Sequence, residues 1–231
     1  MKHKLFLFDL DDTLLDYQAS EKFAFAQAMQ AVGHADDLAT RFEHYRAVNF
    51  ALWQQFEAGA ISLDFLRTER FRQSFLTWQL ELDHARASRL YLDAFASTAV
   101  LVEGARELCE QLGRFGVVGV MTNGVEAVQN SRLAASGLRP HLAFVATSQA
   151  CGFAKPDSRF FEHTARIAGP FSKAETVMVG DRLEADILGA NRHGIESCWF
   201  NPGRLAHGGV AAPTYEVASL HDIVHVLERA R

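Results

Sequence analysis

The feature that most limits the fold is a rhythm of short apolar runs, each followed by an amphipathic segment. Lys4–Phe8 stops at Asp9, Val117–Met121 stops at Thr122-Asn123-Gly124, and Thr176–Val179 stops at Gly180-Asp181. Ile195–Phe200 is a further run, Leu142–Ala146 a weaker one, and Tyr215–Val217 a short edge candidate. Between them, Gly104–Leu112, Val125–Ala135, Ser158–Ala168, Leu183–His193 and Leu220–Ala230 carry helical patterning, the last opening on Ser219-Leu220-His221-Asp222, which reads as a capping box. Strands alternating with helices of about 10–15 residues predict an α/β fold, a parallel sheet with helices on both faces.

The stretch from Asp16 to Ser97 breaks this rhythm. It holds no convincing strand, and Leu38, Phe42, Tyr45, Asn49, Leu52 and Phe56 recur at spacings of four and three, so that they share one helical face. Gly59 reads as a stop and Ser62 as the N-cap of the next helix. The expected organisation is a core of residues 1–15 and 98–231 carrying an inserted all-helical lid of residues 16–97.

Composition excludes several classes. The net charge is −5 and no basic run exists, which argues against a polymeric nucleic acid as ligand. No run is apolar for long enough to cross a bilayer. The run Leu5–Phe8 ends at Asp9 after four residues, shorter than a secretory h-region, so the cytoplasm is the expected location. Cys109, Cys151 and Cys198 are odd in number and widely spaced, which fits a reducing compartment and neither a disulfide framework nor a zinc cluster. Nothing in the sequence sets an oligomeric state.

Chemistry gathers where strands end. In open parallel sheets, ligands bind outside the carboxyl ends of strands. Asp9-Leu10-Asp11-Asp12-Thr13-Leu14 follows the first strand directly. Two carboxylates two residues apart repel each other unless a cation or proton is shared, and a hard ion such as Mg²⁺ suits them. One carboxylate is then free to attack phosphorus while the other handles protons. A solvated turn with capping aspartates is the plain alternative for that pair alone. Three other segments weigh against it. Thr122-Asn123-Gly124 offers a hydroxyl and backbone N–H groups at a helix start, a phosphate cradle. Lys155-Pro156-Asp157 places a lysine in a loop ahead of a helix. Gly180-Asp181-Arg182-Leu183-Glu184-Ala185-Asp186 sets Asp181 at a strand tip and Asp186 about one turn into the next helix.

Asp9-x-Asp11-x-Thr13, Thr122 after a strand, Lys155-Pro156 and Gly180-Asp181-x-x-x-x-Asp186, in that order, resemble the four motifs of the haloacid dehalogenase-like hydrolase superfamily over nearly the whole chain. The resemblance implies a Rossmann-like core with a helical cap. It implies that Asp9 becomes an aspartyl-phosphate and that Asp11 protonates the leaving oxygen and then activates water. Thr122, the Asn123 backbone N–H and Lys155 would hold the phosphoryl oxygens. Mg²⁺ would be bound by Asp9, Asp11 through its carbonyl, and Asp181, with Asp186 orienting the site. True dehalogenases resemble this pattern at the nucleophile but lack the second acid, so Asp11 points to phosphate esters. Phosphonate-cleaving relatives use a cap lysine, and the only lysine in this cap is Lys22.

Tyr45-Arg46-Ala47-Val48-Asn49-Phe50-Ala51-Leu52-Trp53 and Gly59-Ala60-Ile61-Ser62 are similar to the cap of house-cleaning pyrimidine 5′-nucleotidases. That resemblance implies a small phosphorylated metabolite, a pyrimidine nucleoside monophosphate, as substrate. Asn49 and Trp53 are the cap's candidates for substrate choice. Asn49 is the one amide on an apolar stripe, and either a pyrimidine edge or another cap helix would satisfy it. Fourteen of the 25 aromatic residues lie between Tyr17 and Phe95, a density that core packing of a small helical lid largely explains. Sugar-phosphate or phosphoglycolate phosphatases, which differ in cap contacts, are the alternative, followed by a non-catalytic phosphate-binding module.

Overall fold

The computed structural model describes residues 1–229, so Ala230 of the last expected helix lies outside the described residues. Six strands form one sheet: β1 (Leu5–Phe8), β2 (Val117–Thr122), β3 (Phe144–Thr147), β4 (Thr176–Gly180), β5 (Glu196–Phe200) and β6 (Tyr215–Val217). Their order is β3-β2-β1-β4-β5-β6, and every neighbouring pair is parallel. Leu5 lies opposite Val117 on one side and Thr176 on the other, so β1 is interior. All of β1 and β4 is buried, as expected for central strands covered on both faces, and this is why they read as unbroken apolar runs. Parallel strands end on one side. The connections reverse direction between β1 and β4, so Asp9 and Gly180-Asp181 flank the crevice where such sheets bind ligands.

Local chemistry shifts several expected boundaries. β3 begins at Phe144 because the Leu142 N–H closes a 3₁₀ turn (Arg139–His141) on the Arg139 carbonyl. The expected helix Leu183–His193 is a π-helical turn, Leu183–Ile187, followed by an α-helix, Leu188–His193. The wider ring is closed by Ile187 N–H to the Arg182 carbonyl at 3.4 Å. At the last helix, Ser219 Oγ accepts from His221 N–H at 3.3 Å and opens a 3₁₀ turn before the α-helix Ile223–Arg229.

The chain forms two compact units, one of Met1–Asp16, Val100–Glu126 and Ser136–Arg231, the other of Tyr17–Ala99 and Ala127–Ala135. The second contains the helices Tyr17–Ala31, Leu38–Glu57, Leu63–Thr77 and His84–Ala96. The second unit also takes in Ala127–Ala135. Arg132 accounts for it. Fully buried, it donates from Nε to the Thr98 carbonyl (3.1 Å) and from Nη2 to Ser20 Oγ (3.3 Å), and its guanidinium lies 4.2 Å from the centre of the Phe95 ring. Ser62 caps its helix by accepting from Phe65 N–H, and Gly59 takes the left-handed conformation just past the end of Leu38–Glu57. Much of the aromatic cluster is core: Phe25, Tyr45, Phe71 and Tyr91 are buried and pack ring against ring, whereas Phe23, Phe50 and Phe65 are exposed. Among the described residues, no helix is long and apolar enough to cross a membrane.

Candidate active site

Three segments, the ones after β1 and β4 and the loop around Lys155, build one charged cluster in the first unit. Asp9 follows β1 directly, its N–H held by the Val179 carbonyl of the neighbouring strand at 2.9 Å. Lys155, 2% exposed, donates from Nζ to Asp9 Oδ1 at 2.5 Å and to Asp186 Oδ1 at 2.7 Å. Asp186 Oδ2 accepts from the Arg182 N–H at 3.1 Å, a bond that the π-helical turn shapes. Asp181 Oδ1 accepts from the buried Thr13 hydroxyl at 3.2 Å. Oxygens of Asp9, Asp181 and Asp186 all lie within 4.8 Å of one another.

Gly180 has to be glycine for a local reason. A Cβ there would overlap the Asp186 carboxyl. At the β2 end, the Thr122 hydroxyl accepts from Gly124 N–H at 3.1 Å. The Asn123 side chain clamps the lysine loop, accepting from Lys155 N–H (2.8 Å) and donating to the Lys155 carbonyl (3.1 Å). Ser148, just past β3, donates to the Asn123 carbonyl at 3.1 Å. Asp157 caps the helix Ser158–Ala168 by accepting from Arg159 N–H.

The electrostatics are unbalanced by design of the fold. Three clustered carboxylates face one ammonium. Burial above all, then the charges of Asp186 and Asp11, push Asp9 up to about 7 against the pull of Lys155. Burial and the charges of Asp9, Asp186 and Asp12 raise Asp181 well above the carboxylate range, with Arg182 opposing. Burial works to lower the Lys155 ammonium, but Asp186 and Asp9 outweigh it and hold the group above the ordinary lysine range. A divalent cation relieves that excess charge. Carboxylate oxygens gathered within 4.8 Å of one another are the hard donors that Mg²⁺ prefers. The residues present therefore fit the ion.

Asp9, Lys155, Asp181 and Asp186 are thus brought together. The Asp11 carboxylate stands outside the trio, although its charge reaches Asp9. Asn49 lies in the second unit, where its amide is engaged: Nδ2 donates to Glu21 Oε1 (2.8 Å) and Tyr17 Oη (3.0 Å), and Oδ1 accepts from Arg70 Nη1 (3.2 Å). These are the helix–helix bonds that stood as the alternative to a base contact. Trp53 is half-buried and packs edge-on against Phe56. The side-chain roles of Thr13, Asn123 and Ser148 escaped sequence reading. Thr13 and Asn123 lay inside quoted motifs without a partner to define them, and Ser148 carried no signal.

A haloacid dehalogenase-like hydrolase family model matches residues 3–194. The chain belongs to that family. It is 38% identical over 230 residues, 99% of this chain and 97% of the relative, to the pyrimidine 5′-nucleotidase PynA of Streptococcus pneumoniae. It is 31% identical over 229 residues, 98% of this chain and 99% of the relative, to the pyrimidine 5′-nucleotidase YjjG of Escherichia coli. Among solved structures, the magnesium-bound HAD-hydrolase YfnB of Bacillus subtilis superimposes with a TM-score of 0.90 at 31% identity, covering 98% of this chain and 99% of that one.

Proposed function

We propose that the protein is a cytoplasmic Mg²⁺-dependent phosphomonoesterase that works through an aspartyl-phosphate at Asp9 and hydrolyses pyrimidine nucleoside monophosphates. The observation that carries the mechanism is the bridge from Lys155 to Asp9 and Asp186, with Asp181 beside them. It supplies a nucleophile, a fixed cation and a second cation site in one place. Similarity to two pyrimidine 5′-nucleotidases over nearly the full chain supports the substrate class.

In this mechanism an Asp9 oxygen forms a bond to phosphorus as the ester P–O bond breaks, and Asp11 gives its proton to the departing nucleoside oxygen. Asp11 then takes a proton from water as that water attacks phosphorus, releasing phosphate and regenerating Asp9. Lys155, the Thr122 hydroxyl and the Asn123 N–H hold the phosphoryl oxygens, and Asp186 keeps Lys155 aimed at them. Asp9, the Asp11 carbonyl and Asp181 would hold Mg²⁺, which when bound neutralises charge on the phosphoryl group. Residues 16–97 act as the cap that selects the substrate on a core of 1–15 and 98–231. Within it Trp53 offers a ring face, and Asn49 acts through the network that it ties together.

The test is phosphate release from UMP, dUMP, dTMP, AMP and several sugar phosphates, each with Mg²⁺ and with EDTA. The expected result is Mg²⁺-dependent release with preference for the pyrimidine nucleotides. Release from sugar phosphates alone would retain the chemistry and remove the nucleotide assignment. Undiminished release in EDTA would remove the metal.

A further inference from the structure

The segment leaving β4 carries two of the three clustered carboxylates, and a residue of β5 holds it. Trp199 is 2% exposed, and its indole Nε1–H donates to the backbone carbonyl of Asp181 at 2.8 Å. The same ring belongs to an apolar cluster with Leu183 and Ile187, the first and last residues of the π-helical turn that contains Asp186. One side chain therefore ties the peptide that follows Asp181 and braces both ends of the turn behind it. We propose that Trp199 is a positioning residue that sets the Asp181 end of the acidic trio for divalent-cation binding, an inference resting on the reading that Asp9 and Asp181 hold that cation.

Asp181 stands at the point where the chain leaves the sheet, so the next peptide plane has no strand partner to fix it. Rotation of that plane would swing the Asp181 carbonyl and redirect its side chain. Two bonds oppose this: Thr13 holds the carboxylate from one side, and the indole holds the carbonyl from the other. A half-buried carbonyl deprived of its donor either goes unpaired or turns to find another. The bond from Arg182 N–H to Asp186 Oδ2 depends on the same peptide, so the indole supports the Lys155 bridge as well. Groups that orient metal ligands commonly change affinity without contacting the ion.

Trp199→Phe keeps an aromatic ring against Leu183 and Ile187 and deletes the N–H. Titration of the full-length protein with MgCl₂, followed by calorimetry without substrate, should show Kd weakened by about 3–10-fold, below the roughly 10–100-fold typical when a ligand's own partner is lost. KM for p-nitrophenyl phosphate at saturating Mg²⁺ should stay unchanged. A second measurement uses the unaltered protein. Its three tryptophans, Trp53, Trp78 and Trp199, give three indole N–H signals in a ¹H–¹⁵N spectrum, assigned with Trp53→Phe and Trp78→Phe. The Trp199 signal should exchange slowly and shift along the same Mg²⁺ isotherm. An unchanged Kd in Trp199→Phe, or a Trp199 signal unmoved at saturation, would overturn the proposal while the cation reading stands. A wild-type protein that takes up no Mg²⁺ would overturn both.

Discussion

Replacing Lys155 with methionine separates the charge of the side chain from its bulk. Methionine has nearly the volume of lysine and fills the same buried site, so the loss is electrostatic. Two carboxylate oxygens, at 2.5 Å and 2.7 Å from Nζ, lose their cation, and the three clustered carboxylates keep only the more distant charge of Arg182 against them. Removing one partner of a buried ion pair costs about 3–5 kcal/mol, and the lower end applies here because Asp186 keeps its bond from Arg182 N–H. A loss of about 3 kcal/mol corresponds to a melting-temperature drop of about 6–12 °C in a protein of this size. The assay is calorimetric or fluorescence melting of both proteins, first in EDTA and then in Mg²⁺. Because the variant's cluster carries one more uncompensated negative charge, Mg²⁺ should raise its melting temperature by more than it raises the wild type's. Turnover should fall by about 10²–10³-fold through loss of a donor to the phosphoryl oxygens. A variant that melts within about 2 °C of wild type in EDTA would refute the reasoning, because the carboxylates would then not depend on Lys155.

Asp11→Asn should slow turnover by about 10²–10⁴-fold on a nucleotide, the range for a lost general acid–base, and far less on p-nitrophenyl phosphate, whose leaving group needs no proton; equal losses on both substrates would contradict the acid role. Gly180→Ala forces a Cβ into the Asp186 carboxyl and should cost about 1–3 kcal/mol in urea unfolding, while a neutral result would show that Asp186 is free to move. His3 is fully buried, bonded to Glu196 at 2.7 Å, and burial lowers its pKa below the usual 6.5. The unfolded chain therefore binds that proton first, so its contribution is complete above pH 6.5 and is lost as pH falls toward the lower folded value. Unfolding free energy measured across that window should slope downward with acid in wild type and slope less in His3→Gln; parallel slopes would contradict the burial argument.

The strand ends were legible because interior parallel strands are apolar on both faces, so Leu5–Phe8 and Thr176–Val179 stop visibly where a polar residue marks the edge. The start of β3 was not, since Leu142 is as apolar as a strand residue and only its hydrogen bond assigns it to a turn. Leu183 and Ile187 lie four apart, as in an α-helix, so their period hides the wider π turn that seats Asp186. The acidic and lysine residues stood out as charges at strand tips. Thr13, Asn123 and Trp199 did not, because each acts by pairing with a group on another segment, and a sequence read alone shows no such pair. Asn49 shows the converse: its place on an apolar stripe announced a partner, and the partners are Glu21, Tyr17 and Arg70.

The central claim is that Asp9 carries the phosphoryl group, and trapping it is the most direct measurement. Enzyme turning over ³²P-labelled UMP with Mg²⁺ is quenched in acid, and the recovered protein is counted and reduced with borohydride before peptide mass spectrometry. The account predicts label on the protein, conversion of residue 9 to homoserine, and no label on Asp9→Asn. Full turnover with no protein-bound phosphate, or phosphate on any other residue, would contradict it.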